Sequence, residues 1–215
     1  MFSVLLLSML VAFSGAIVPG PLFAVTLEQA LRVGWTAGLW LCLGHLLAEL
    51  ALVAAIAAGL GGVLRKPLIT RGVGLLGGLV LLYFAWGMIT SAPPAASGAT
   101  PHAPVVAMSM GMLIGQGILL SVTNPYWHLW WATAGIGLIA QQTGKHGPRA
   151  WAAFFIGHEL GDFIWYVAVS TLVALGGNFL NPTFHHGLIL VCGIGIAVLG
   201  VLFLLRAIRS TIAAV

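Results

Sequence analysis

Six apolar runs account for most of this chain, at about 1–31, 36–62, 68–90, 105–140, 149–177 and 187–208. A helix needs roughly 20 apolar residues to cross the hydrocarbon of a bilayer. A backbone in hydrocarbon must also satisfy its own hydrogen bonds, which leaves helices or closed barrels. Runs this long, without alternation, select helices. Charge agrees: only 6% of the 215 residues are Asp, Glu, Lys or Arg, against about a quarter in soluble domains. Mean hydropathy is +1.10. The sequence predicts an all-α integral membrane protein with six transmembrane helices in a single domain, 1–215. A Pro/Ala/Ser linker at 91–104 separates halves of about 1–90 and 105–215.

The basic residues set an orientation. With the N-terminus in the cytoplasm, Arg65, Lys66, Arg71, Lys145, Arg149, Arg206 and Arg209 lie inside and only Arg32 outside, as the inside excess of Lys and Arg requires. Both termini are expected to be cytoplasmic. The same residues form no basic stripe, so nucleic acid is not an expected partner. Residues 1–13 have the length of a signal-peptide core, but no basic residue precedes them and the apolar run continues past Pro21. An uncleaved first span is expected. Cys42 and Cys192 show no CxxC or metal-ligand spacing and read as buried small hydrophobes.

Spans one and four are too long for simple crossings, and both are interrupted. Val18-Pro19-Gly20-Pro21 breaks the first and Thr123-Asn124-Pro125 the fourth. An interior proline removes a hydrogen bond and clashes with the preceding turn, whereas Pro21 and Pro125 suit the first position of a new half-helix, Asn124 acting as cap. A second correspondence follows each break. Gly44-His45-Leu46-Leu47-Ala48-Glu49 and Gly157-His158-Glu159-Leu160-Gly161-Asp162 share glycine, histidine, a small residue and an acid at equal spacing. On a helix, positions four apart share a face, so each histidine meets its acid, while glycine and the small residue form a stripe for close helix packing. Glycine-spaced helices follow, with Gly74, Gly77 and Gly78 in one half and Gly193, Gly195 and Gly200 in the other. Three spans per half make the second half enter from the opposite side, a 3+3 inverted repeat. Matching broken helices in such halves point to a transporter's binding site.

Taken together, Val18-Pro19-Gly20-Pro21 with Gly34 and Gly38, the Gly44 helix, Thr123-Asn124-Pro125, and Asp162-Phe163-Ile164-Trp165-Tyr166 resemble the LysE/RhtB superfamily of small exporters over essentially the whole chain. The resemblance implies efflux of amino acids or related small metabolites, generally coupled to protons, across a prokaryotic plasma membrane. Asp162 matches the family's pattern; His45, Glu49, His158 and Glu159 are additional to it. A divalent metal ion exporter is the alternative.

The only four acids are Glu28, Glu49, Glu159 and Asp162, all in or at the end of apolar spans, where ionisable groups tend to be functional. His45, Glu49, His158, Glu159 and Asp162 are candidates for proton coupling or cation binding. Such a set can act as a proton relay or substrate contact, as interhelical hydrogen bonds, or as ligands of a first-row divalent ion. Candidate substrate-binding residues are Pro19, Gly20, Pro21, Asn124 and Pro125, where freed N–H groups favour a negative group. His128, Trp165 and Tyr166 join them. Plain kinks satisfied by Ser14, Thr123 or water would read the same way. Trp127, Trp130 and Trp131 read by default as an interface belt, and Glu28 with Arg32 as an i,i+4 surface pair. His102, His146, His185 and His186 fall in expected loops. No paired cysteines or nucleophile–base pair suggest an enzyme, and no cofactor or resident metal is expected. Expected partners are a small-molecule substrate, protons and the lipid bilayer, with a homo-oligomer left open.

Overall fold

The computed structural model describes residues 1–18, 20–60, 62, 66–90, 108–176 and 182–212, and every regular element among them is a helix. Pro19, Arg65, the 91–104 linker and His102 lie outside the described residues. In chain order the helices are α1 (Phe2–Ala16), α2 (Pro21–Val33), α3 (Thr36–Ala55), α4 (Pro67–Ile89) and α5 (Met110–Val122). Then come α6 (Pro125–Trp130), α7 (Ile136–His146), α8 (Arg149–Gly176) and α9 (Pro182–Ile212). Residues Trp131–Gly135 form a π-helical turn between α6 and α7.

Both breaks form where proline requires them. Gly20 is extended, at φ −124° and ψ 177°, and Pro21 opens α2, which is bent 84° from α1. Asn124 is extended too, and its side chain accepts a hydrogen bond from the Tyr126 N–H at 3.0 Å. Each outgoing segment stops at a glycine with φ +77°, Gly34 after α2 and Gly147 after α7, a conformation that costs glycine nothing. From each of these glycines the following histidine is eleven residues on, His45 and His158. The two halves therefore launch their His–acid helices in one register.

Four straight helical segments are long and apolar enough to cross a membrane: α3, α4, α8 and Ile189–Arg209 within α9. The bent α1–α2 pair makes a fifth. The described part of the fourth run is divided at Asn124, as the sequence predicts, into α5, α6, the π turn and the start of α7. At ~1.5 Å per residue the 13 residues of α5 reach only ~20 Å, short of the ~30 Å hydrocarbon. Among the described residues, helix length alone gives four to five candidate spans. The sixth expected span also starts earlier than 187, because Pro182 takes the first position of α9.

Packing exchanges partners between the halves. α1 lies along α8, α5 along α3, and α4 along α9, with α3 and α8 in contact at the centre. The glycine stripes allow it. A methyl group on Gly44 would run into the Ile114 carbonyl of α5, and one on Gly157 into the Leu5 carbonyl of α1. Gly78 and Gly200 likewise face each other across α4 and α9. Ser8 adds a buried hydrogen bond to the Phe154 carbonyl, 2.5 Å. α4 and α9 show large leucines outward, Leu76 and Leu79 on one, Leu202 and Leu205 on the other, as lipid-facing helices should.

Candidate functional site

The contact of α3 with α8 brings the two His–acid faces together. His45 Nε2 lies 3.2 Å from Glu49 Oε1 and 3.7 Å from Asp162 Oδ2. His158 Nε2 lies 3.2 Å from Glu49 Oε2 and 3.4 Å from Asp162 Oδ2. The four side chains close a ring in which imidazole and carboxylate alternate. Glu49 is 1% exposed, and His158 and Asp162 are 3% exposed. Charges removed from water to this degree persist only when paired.

Hydrogen bonding outside the ring fixes one histidine. Ser121 Oγ donates to the Gly117 carbonyl at 2.7 Å and lies 2.7 Å from His45 Nδ1. A hydroxyl has one proton, so here it must accept from Nδ1–H. His45 therefore directs Nε2 at the two carboxylates. If that nitrogen carried a lone pair with nothing between, it would face negative oxygens at hydrogen-bonding range. The ring is thus satisfied by a proton or a cation in this position.

Glu49 is held from a third direction. Trp127 Nε1 and Trp131 Nε1 each donate to its Oε1 at 2.7 Å. The expectation of an interface belt is corrected for all three tryptophans, since Trp127, Trp130 and Trp131 are 7%, 8% and 0% exposed. Polar groups nearby account for it: an indole N–H taken into the interior needs an acceptor, and Glu49 supplies one for two of them. Trp130 instead donates to Ser14 Oγ at 3.3 Å and lies over His158, with ring centroids 4.6 Å apart. The i,i+4 spacing of Trp127 and Trp131, one helical face, is the sequence signal for this pair. Nothing in the sequence marks Ser121.

The ring opens into a cavity of about 50 Å³ whose walls include both breaks. Gly20, Asn124, Trp127, Trp130 and Tyr166 line it beside His45, Glu49, His158 and Asp162. The breaks touch: a methyl on Gly20 would lie 3.5 Å from Asn124 Nδ2. Two further cavities each border one of the breaks. Pro21, with Tyr83, Met88, Gln116 and His186, borders a space of about 760 Å³. Pro125, with Pro67, Arg71, His128 and Arg206, borders one of about 180 Å³.

The remaining candidates fall elsewhere. His128 Nε2 is 2.7 Å from the Val122 carbonyl freed by the second break, which draws the ring away from the central cavity. Trp165 packs between Phe23 and Phe13, both with ring centroids 6.4 Å away, and does not border the central cavity. Glu159 is 5% exposed with no hydrogen bond to either carboxyl oxygen, and it stands beside the ring. Ser14 and Thr123 donate to carbonyls of their own turns, at 2.6 and 2.7 Å. Glu28 and Arg32 form the expected i,i+4 pair at 2.8 Å, both about half exposed.

The fold is that of a helical membrane protein with a buried polar centre beside two helix breaks. A family model for LysE type translocators matches residues 13–207, and the chain belongs to that family, whose members export small molecules. No curated protein and no solved structure matches the chain.

Proposed function

We propose that this chain is a secondary exporter in which a positively charged group of the cargo and protons take turns in the ring of His45, Glu49, His158 and Asp162. The observation that carries this reading is the His45 orientation: with Nδ1–H given to Ser121, Nε2 faces two carboxylates and requires a positive occupant. Protons fill the position in one direction and cargo in the other. The positive occupant is either an ammonium group, as on amino acids and related metabolites, or a divalent metal ion. An amino acid's carboxylate would turn to the free N–H groups at the start of α2.

The exchange of packing partners supports a six-span, 3+3 inverted repeat: α1 answers to α5, α3 to α8 and α4 to α9. The two larger cavities obey the same exchange. One uses the end of α4 and the start of α9, the other the start of α4 and the end of α9. Alternating access follows if the α4–α9 pair rocks against the rest, opening one cavity to the ring while closing the other. With both termini in the cytoplasm of a prokaryote, the Pro125 cavity faces inward and the Pro21 cavity outward.

Reconstituted vesicles with a trapped pH indicator test the exchange. Wild-type protein should move protons against added cargo across an imposed pH gradient, and Asp162→Asn should abolish the signal while keeping its thermal unfolding transition. Normal exchange by Asp162→Asn would overturn the assignment.

A further inference from the structure

Resting on that reading of the ring, we infer that the cargo is a divalent first-row transition-metal ion, taken by His45, Glu49, Asp162 and His158. A metal and an ammonium group ask different things of a site. An ammonium group wants three acceptors and space for the molecule attached to it. A metal wants several lone pairs converging on one point, with the ligands held from behind.

The structure meets the second description. One ligand atom each from His45, Glu49 and Asp162 lies within 4.8 Å of the others, and His158 Nε2 approaches both carboxylates at 3.2 and 3.4 Å. Four ligands bound at ~2.1 Å in a tetrahedron stand ~3.4 Å apart. The three imidazole–carboxylate separations that use Glu49 Oε2 or Asp162 Oδ2, from 3.2 to 3.7 Å, bracket that edge. Three atoms of the ring have no hydrogen-bond partner although buried: Glu49 Oε2, Asp162 Oδ2 and His158 Nδ1. Both oxygens lie within 3.4 Å of His158 Nε2.

His45 and Glu49 are supported from behind in the way metal ligands are. Ser121 fixes the His45 tautomer with Nε2 inward. The two indoles occupy Oε1 of Glu49 and leave Oε2 for an ion. Aromatic rings of Trp130, Trp131 and Phe154 surround His158. Room is short for anything larger. The cavity measures about 50 Å³, and one water takes ~10–15 Å³ by such a measure, so an ion with a few waters fits and an amino-acid backbone is crowded. Two imidazoles select against Mg²⁺ and Ca²⁺, which prefer all-oxygen shells, and toward the borderline metals from Mn²⁺ to Zn²⁺.

Cobalt is the probe. CoCl₂ titrated into the detergent-purified full chain should produce intense visible ligand-field bands of a four-coordinate site, saturating at one ion per chain. His45→Ala and His158→Ala should abolish the bands; Glu28→Gln, far from the ring, should keep them. Ser121→Ala, which removes no ligand, should weaken cobalt binding about 10-fold or more, and it covers the case in which a ligand variant fails to fold. Absent bands, or bands unchanged in both histidine variants and in Ser121→Ala, overturn the metal. Protection against thermal unfolding by glycine or lysine but not by Zn²⁺, lost in Asp162→Asn, would also overturn it and leave the exporter reading standing. Vesicles that exchange protons against neither zinc nor amino acids would overturn both.

Discussion

The two His–acid helices share a pattern and a register, yet they hold their carboxylates differently. On α3, Glu49 receives two indole N–H groups and faces two imidazoles, one at each oxygen. On α8, Asp162 faces the same two imidazoles at the longer distances of 3.7 and 3.4 Å, and its Oδ2 has no hydrogen bond. The extra donors reach Glu49 because the second break is followed by Trp127 and Trp131, whereas Phe23 and Leu27 stand at the same distances after Pro21. A repeat gives two similar polar faces; the aromatic residues after one break make them unequal. In the proposed exporter Glu49 would be the fixed wall of the ring and Asp162 the side free to respond to an occupant.

The largest effect expected from this inequality is on stability. Glu49→Ala leaves two imidazoles and two indole N–H groups buried without their acceptor, and removing one partner of a buried charged set costs about 3–5 kcal/mol. Asp162→Asn keeps the shape and strips no hydrogen-bond donor of its acceptor, so it should lose far less. Thermal unfolding of both variants in detergent compares them directly. If Asp162→Asn unfolds at the lower temperature, the fixed and responsive roles are reversed.

Much of this was legible before any coordinates. Charge scarcity and apolar runs gave a helical membrane protein, and Pro21 and Asn124–Pro125 located both breaks. The i,i+4 spacing placed His45 beside Glu49 and His158 beside Asp162, because a helix has one period and local sequence fixes it. Contacts between distant segments were not legible. Tryptophan in a membrane protein fits a headgroup belt or a buried wall equally well, and only the fold places Trp127 and Trp131 against a carboxylate 78 and 82 residues away. Trp165 shows the converse, since its neighbour Tyr166 lines the cavity and a helix turns ~100° between the two. Helix length among the described residues counts four to five spans because the 105–140 run is divided at Asn124, where the sequence already placed a break.

The next effect in size isolates the wall itself. Trp127→Phe and Trp131→Phe each remove one donor to a charged acceptor, worth about 1.5–3 kcal/mol, and each keeps an aromatic ring in place. Phe23→Leu, at the matching position after the first break, touches no carboxylate and should leave proton exchange intact. Because both indoles meet the same Glu49 oxygen, the double variant should depart from additivity. A double-mutant cycle by thermal unfolding measures that coupling; additive losses would mean that the two bonds do not act on one group.

The glycine stripes should be equal where the rings are unequal. Gly44→Ala meets the Ile114 carbonyl and Gly157→Ala the Leu5 carbonyl, backbone atoms that cannot turn aside. Each should lose about 1–3 kcal/mol by overpacking, while Gly87→Ala, with nothing within 4 Å, should be neutral. Unfolding temperatures that fall together for Gly44 and Gly157 would sharpen the comparison by confining the asymmetry to the polar face.

Ser121→Ala is the finest probe of that asymmetry. The substitution removes one hydroxyl from a site 2% exposed and one hydrogen bond to His45, a loss of about 0.5–1.5 kcal/mol. Its effect on stability is small, but its effect on the ring is specific. Without an acceptor at Nδ1, His45 is free to carry its proton on either nitrogen, and Nε2 no longer has to face Glu49 and Asp162 with a lone pair. His158 already lacks a hydrogen-bonded Nδ1, so the variant makes the two histidines alike. Nitrogen-resolved NMR of labelled imidazoles reads this directly: wild-type protein should show His45 protonated at Nδ1 throughout, and Ser121→Ala should show a mixture of tautomers whenever His45 is neutral. A His45 signal that stays unmixed in the variant would mean that the ring, not the serine, orients the histidine, and the difference between the helices would then rest on the tryptophans alone.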